Sequence, residues 1–131
     1  MVKNFGQLSS GETAHLYSLM TDMLRICVTD FGGTLVSVEV KDKSGEFVDI
    51  TLGYDDVAGY ENDNDCFGFN IGRNANRISN AQFTLNNIKY VLAKNDGENN
   101  LHSGPHLFSK RMWHVTEYRD DSIIFEIESL H

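Results

Sequence analysis

The sequence predicts an antiparallel all-β sandwich with little or no helix, and three observations carry that prediction. Apolar and polar residues alternate over many short segments, glycine and Asn/Asp clusters separate those segments, and no stretch holds the apolar spacing of an amphipathic helix. Short alternating strands punctuated by turn residues bury one face each and meet face to face, as in a sandwich or barrel.

In chain order, Met1 to Gly11 reads as a polar, glycine-bearing lead-in. Thr13 to Met20 is a strand with Ala14, Leu16, Ser18 and Met20 on one face and His15, Tyr17 and Leu19 on the other. Leu24 to Phe31 is a second strand, rich in β-favouring residues, broken by Gly32-Gly33. Thr34 to Val40 is a third. Asp42-Lys43-Ser44-Gly45 is a turn, and Glu46 to Leu52 a fourth strand. Tyr54 to Tyr60 suits one short helical turn, capped by an Asp and ended by glycine, with both tyrosines packing it against a sheet. Asn62-Asp63-Asn64-Asp65 is a polar loop and Phe67 to Ile71 an apolar, glycine-broken run. Gln82-Phe83-Thr84-Leu85 and Ile88 to Leu92 form a hairpin through Asn86-Asn87, because Asn tolerates positive φ. Met112 to Tyr118 and Ser122 to Glu128 are the last strands, joined by Arg119-Asp120-Asp121. The chain stops at Leu130-His131, directly after an apolar strand, which leaves a sheet edge in need of a cover.

At 131 residues the chain is one domain or part of one. Its 11 basic and 19 acidic residues give a formal charge of −8, which argues against nucleic acid and against an anionic membrane surface. No apolar run is long enough to span a bilayer, and Met-Val-Lys-Asn-Phe-Gly has no apolar signal core, so a cytoplasmic location is expected. Cys27 and Cys66 sit in apolar strand-like runs and read as reduced small hydrophobes. His102 and His106 are four apart, but Pro105 keeps them off one continuous helix, so no metal is expected.

The chemistry concentrates between Gly72 and Trp113. Gly72-Arg73-Asn74-Ala75-Asn76-Arg77-Ile78 precedes the hairpin, and Asn95-Asp96-Gly97-Glu98-Asn99-Asn100-Leu101-His102-Ser103-Gly104 follows it. The hairpin returns the chain and brings the Arg77 and His102 loops to one end of a sheet. A guanidinium, an imidazole and several amides around one pocket suit a ligand covered in hydroxyls. Asn95, Asp96 and Gly97 read as turn-formers that shape the loop.

The same stretches resemble the aldose 1-epimerase (galactose mutarotase) family. Val28 to Ser37 is similar to its early strand–glycine–strand signature, and Leu52 to Tyr60 to its next block. Gly72 to Ile78 and Asn95 to Gly104 are similar to its two substrate-loop motifs, and Phe108, Lys110, Arg111 and Trp113 to the block after them. The resemblance implies a β-supersandwich that interconverts the α and β anomers of free hexoses such as galactose and glucose by acid–base ring opening and closure, without a cofactor. It implies that Asn76 and Arg77 bind the sugar, and that His102, the first of two pocket histidines, is both sugar-binding and catalytic. Asn87 stands where the family usually has glycine, and Leu107 and Ser109 where Gly and Asp are common. The family chain is more than twice as long; its second histidine, aspartate and base glutamate fall beyond this sequence. Residues 1–131 are therefore expected to be the N-terminal portion of one such domain, with little or no turnover of its own. Trp113 reads as a core residue in preference to a sugar-stacking platform, and His15, His106, His114 and His131 have no motif. The alternatives are a non-catalytic carbohydrate-binding module and a structural fragment that forms a homodimer through its open sheet edge.

Overall fold

The computed structural model describes residues 1–63 and 65–129. Asn64 of the expected polar loop, and Leu130 and His131 of the expected sheet end, lie outside the described residues. In chain order the elements are β1 (Val2–Gln7), β2 (Thr13–Met20), β3 (Leu24–Thr29), β4 (Leu35–Lys41), β5 (Phe47–Asp49), α1 (Val57–Asn62), β6 (Arg77–Ile78), β7 (Gln82–Leu85), β8 (Ile88–Val91), β9 (Asn100–Leu101), β10 (His114–Tyr118) and β11 (Ile123–Glu126). Every strand pairing is antiparallel and α1 is the one α-helix among the described residues. The chain divides into two compact units, one of Met1–Asn70 with the segment from Arg111 onward, the other Ile71–Lys110.

The first unit is built on a meander in the order β1-β2-β3-β4-β5. β2 has the expected bounds. β3 ends early because Asp30 and Phe31 turn to other partners: Trp113 N–H donates to the Asp30 carbonyl at 2.8 Å, and Phe31 bridges Met112. The Met1–Gly11 lead-in needs correction, since Val2–Gln7 is an edge strand paired with β2, with a bulge between Asn4 and Gly6. Its polarity hid it: only Phe5 is buried, as befits a strand with one solvent edge. The helical turn also differs from expectation. Asp56 caps it, its carboxylate accepting the Gly59 N–H at 3.0 Å, but α1 runs through Gly59 to Asn62. Gly59 is a steric requirement inside the helix, because a Cβ there would overlap the Tyr54 ring.

Both faces of the meander are used. Phe5, Ala14 and Phe31 pack with Val57 and Tyr60 of α1, and Leu16, Val36, Tyr54 and Phe69 close around them. Tyr60 is fully buried, its ring 5.1 Å from that of Tyr54 and 5.9 Å from that of Phe5, and its hydroxyl accepts the Tyr54 N–H at 3.1 Å. The expectation that both tyrosines pack the helical turn is borne out. On the opposite face, Tyr17 meets Tyr118 and Phe125 of the β10–β11 hairpin edge-on, with centroids at 5.3 and 6.1 Å. His15, for which the sequence offered no role, donates its backbone N–H to Asp30 at 2.7 Å and places Nδ1 3.0 Å from the same carboxylate. Burial, and then the neighbouring Asp30, push the Tyr17 hydroxyl above the ordinary tyrosine range.

The second unit is two short ladders joined by loops. β7 and β8 form the expected hairpin, with Asn86 at φ 51° and Asn87 at φ 62°, the two left-handed positions of a type I′ turn. Phe83 and Tyr90 stack across it at 5.0 Å. β6 and β9 pair Arg77 with Leu101 and Ile78 with Asn100.

Candidate functional site

The β6–β9 ladder is only two residues long, so what holds it is side-chain bonding to backbone. Asn95 clamps Leu101 from both sides: its amide donates to the Leu101 carbonyl at 2.9 Å, and its carbonyl accepts the Leu101 N–H at 2.7 Å. Asn100, 3% exposed, donates its amide hydrogens to the Ala93 and Gly104 carbonyls at 2.8 and 2.9 Å. A buried amide with both hydrogens used is a cross-link rather than a ligand donor. Gly104 is required here, since a Cβ would overlap the Asn95 amide.

Those clamps fix His102 and Asn76 against each other. The His102 N–H donates to the Asn76 carbonyl at 3.0 Å, and the Asn76 N–H donates to His102 Nδ1 at 3.0 Å. Both residues sit at positive φ, 54° for His102 and 61° for Asn76, as does Ser103 at 60°. Ser103 repeats the arrangement one residue on, its hydroxyl accepting the Asn74 N–H at 2.7 Å. Because Nδ1 accepts, the hydrogen of the neutral ring resides on Nε2. His102 therefore carries an N–H donor on a half-buried ring.

Arg77, next in sequence to Asn76, is oriented by a third segment. Its Nε–H donates to Asp96 Oδ2 at 2.6 Å, and Nη1 reaches Asn76 Oδ1 at 3.5 Å. Asp96 stands on a tight turn closed by its carbonyl accepting the Asn99 N–H at 2.9 Å, with Gly97 at φ 57°. On the same loop Lys94 bonds Glu98, and that bond holds the Glu98 carboxyl below the usual carboxylate range. The Arg77 side chain is 54% exposed, and its Nη hydrogens other than the one directed at Asn76 remain as donors. The arrangement gathers hydrogen-bond donors of Arg77 and His102 on the two loops.

The structure thus brings Asn76, Arg77 and His102 into one cluster. Asp96 has a second role that the sequence does not show. It forms its turn as expected, but its carboxylate also grips a guanidinium 19 positions away. An Asp-Gly turn signal masks that second role, and no local periodicity reports an ion pair between two loops. Ser103 and Asn74 were passed over for the same reason. Trp113 belongs to the first unit, where its ring stands over Gly33.

Comparison with known proteins follows the same residues. A family model for aldose 1-epimerase matches residues 15–131. Galactose mutarotase of Bos taurus is 41% identical over 110 residues, which is 83% of this chain and 32% of that protein. Aldose 1-epimerase of Escherichia coli (strain K12) is 32% identical over 104 residues, 79% of this chain and 30% of that one. Among solved structures, the GalM/aldose epimerase homologue from C. elegans superposes with a TM-score of 0.81 at 30% identity, over 87% of this chain and 35% of its own. Galactose 1-epimerase from Lactobacillus acidophilus NCFM, at 22% identity, shares the fold with a TM-score of 0.76 over 92% of this chain and 34% of its own. This chain spans about a third of the length of these relatives. With the family match running from β2 onward through both the Gly72–Ile78 and Asn95–Gly104 stretches, the chain belongs to the aldose 1-epimerase family.

Proposed function

We propose that residues 1–131 are the N-terminal portion of a single aldose 1-epimerase domain and supply its sugar-gripping loops, with free hexoses such as galactose and glucose as ligands. The observation that carries this reading is the reciprocal Asn76–His102 pair, which leaves the imidazole hydrogen on Nε2, while the Arg77 guanidinium reaches the same Asn76. Mutarotation needs a base on the anomeric hydroxyl and a donor at the ring oxygen. His102 Nε2–H suits the donor side, and the Arg77 Nη hydrogens suit neighbouring hydroxyls. No acid in the two loops lies in the motif that carries the family's base, so the second partner of the acid–base pair comes from outside these motifs. A structural fragment that forms a homodimer through a sheet edge is the alternative, and a monomer at high concentration in sedimentation contradicts that alternative.

The test combines titration with polarimetry. Adding galactose to the chain should shift the Asn76 and His102 amide resonances saturably, and Arg77→Ala should weaken that binding by about tenfold, the loss of one good charged hydrogen-bonding group. Fresh α-galactose should mutarotate at its spontaneous rate in the presence of the chain. Acceleration that disappears in His102→Ala would show that this chain or its oligomer carries a complete acid–base pair. No saturable shift with galactose overturns the sugar-site reading.

A further inference from the structure

Arginine at a ligand site carries a risk for an enzyme of free sugars. A guanidinium is the side chain best matched to phosphate, with paired donors and a permanent charge. Arg77 meets that risk through Asp96. The 2.6 Å bond occupies Nε, removing the Nε–Nη edge that a phosphate would grip in two-point fashion, and the carboxylate cancels the guanidinium's charge at the mouth of the site. Asp96 is 34% exposed, on a turn whose closing bond is made by backbone groups of Asp96 and Asn99, so its position does not depend on its side chain. Lys94, the other cation of this loop, is likewise paired, with Glu98. The formal charge of −8 on the chain acts in the same direction.

We propose that Asp96 is a positioning and specificity-determining residue: its carboxylate aims the Arg77 guanidinium and cancels its charge, so that the site accepts uncharged sugars and rejects their phosphate esters. The sugar half of this statement rests on the reading of Arg77 as a sugar-binding residue; the anion half does not. Neutral hydroxyls need only the remaining Nη hydrogens, whereas a phosphate is left with the end-on Nη1–Nη2 edge and must bind there against the charge of Asp96.

The experiment titrates the labelled chain with galactose, galactose 6-phosphate and inorganic phosphate, following the Asn76 and His102 amide resonances. Wild type should respond saturably to galactose and remain blind to inorganic phosphate. Asp96→Asn keeps the shape and the backbone turn but removes the charge; it should weaken galactose binding by about threefold and tighten both phosphate ligands by about fivefold, as expected for one partly exposed charge pair. Asp96→Glu, with the charge retained, should keep the exclusion of phosphate. In an Arg77→Ala background, Asp96→Asn should change no affinity further, because Asp96 acts through Arg77; a merely structural role would add its cost. Unchanged amide dispersion certifies that each variant is folded. Wild type blind to galactose would sink the proposed function, while the phosphate arm would still judge Asp96. Asp96→Asn that remains blind to inorganic phosphate, or that moves all three ligands in the same direction, overturns the inference.

Discussion

The two units of this chain are held together by different physics. The first has an apolar centre, with Phe5, Ala14, Phe31, Val57 and Tyr60 packed between a sheet and a short helix. The second buries little that is apolar: Ala81 is its one fully enclosed hydrophobic residue among those described, while Asn100 and Ser109 are its buried polar ones. Its loops are fastened by Asn95, Asn100, His102 and Ser103 bonding to backbone. The difference shows how loops are fastened without an apolar core. These loops do not collapse onto apolar residues, so side chains join the backbone in satisfying their carbonyl and N–H groups.

The contrast predicts where a single substitution costs most. Tyr60→Ala removes a fully buried ring from the centre of the first unit and leaves a cavity between α1 and the sheet. We expect a loss of about 3–5 kcal/mol, read from the urea midpoint at constant slope. A loss below about 1 kcal/mol would mean that the first unit is not held by its core. In the second unit the comparable position is Asn100, although it is polar. Asn100→Ala strands the Ala93 and Gly104 carbonyls and should cost about 2 kcal/mol, with faster amide exchange from Asn95 to Gly104. Asn100→Asp sharpens the comparison, because it keeps the shape and turns a donor into an acceptor facing two carbonyls. It should cost at least as much as alanine. A milder effect would show that shape, not hydrogen bonding, holds the loop.

The same division governs what was legible in the sequence. Strands of the first unit declare themselves by alternation: β2 was bounded correctly because Ala14 and Leu16 face the core while His15 and Tyr17 face the other layer. β1 was missed because an edge strand with one buried residue carries no alternation to read. In the second unit only the β7–β8 hairpin was legible, and turn chemistry gave it away rather than periodicity. The β6–β9 pairing is two residues long and was invisible as a ladder, although the motifs at Asn76, Arg77 and His102 pointed to the place. Asp96 shows the limit most sharply. Its turn is local and readable; its grip on Arg77 depends on two loops meeting, and nothing within a few residues of either encodes that.

The smallest effect lies in that legible hairpin. Asn86 and Asn87 both occupy left-handed backbone, at φ 51° and 62°, where a side chain is tolerated and glycine is unstrained. Neither strand of the hairpin has a buried residue, so turn geometry carries much of its stability. Asn87→Gly should therefore stabilise the hairpin by about 0.5 kcal/mol, relief of left-handed strain being partly offset by the greater freedom of an unfolded glycine. Amide protection of Phe83 and Tyr90, a hydrogen-bonded pair of the ladder, reads this locally. Reduced protection would mean that Asn87 gains more from its side chain than it loses to strain. The second unit would then be fastened by asparagine bonds even at its one regular turn.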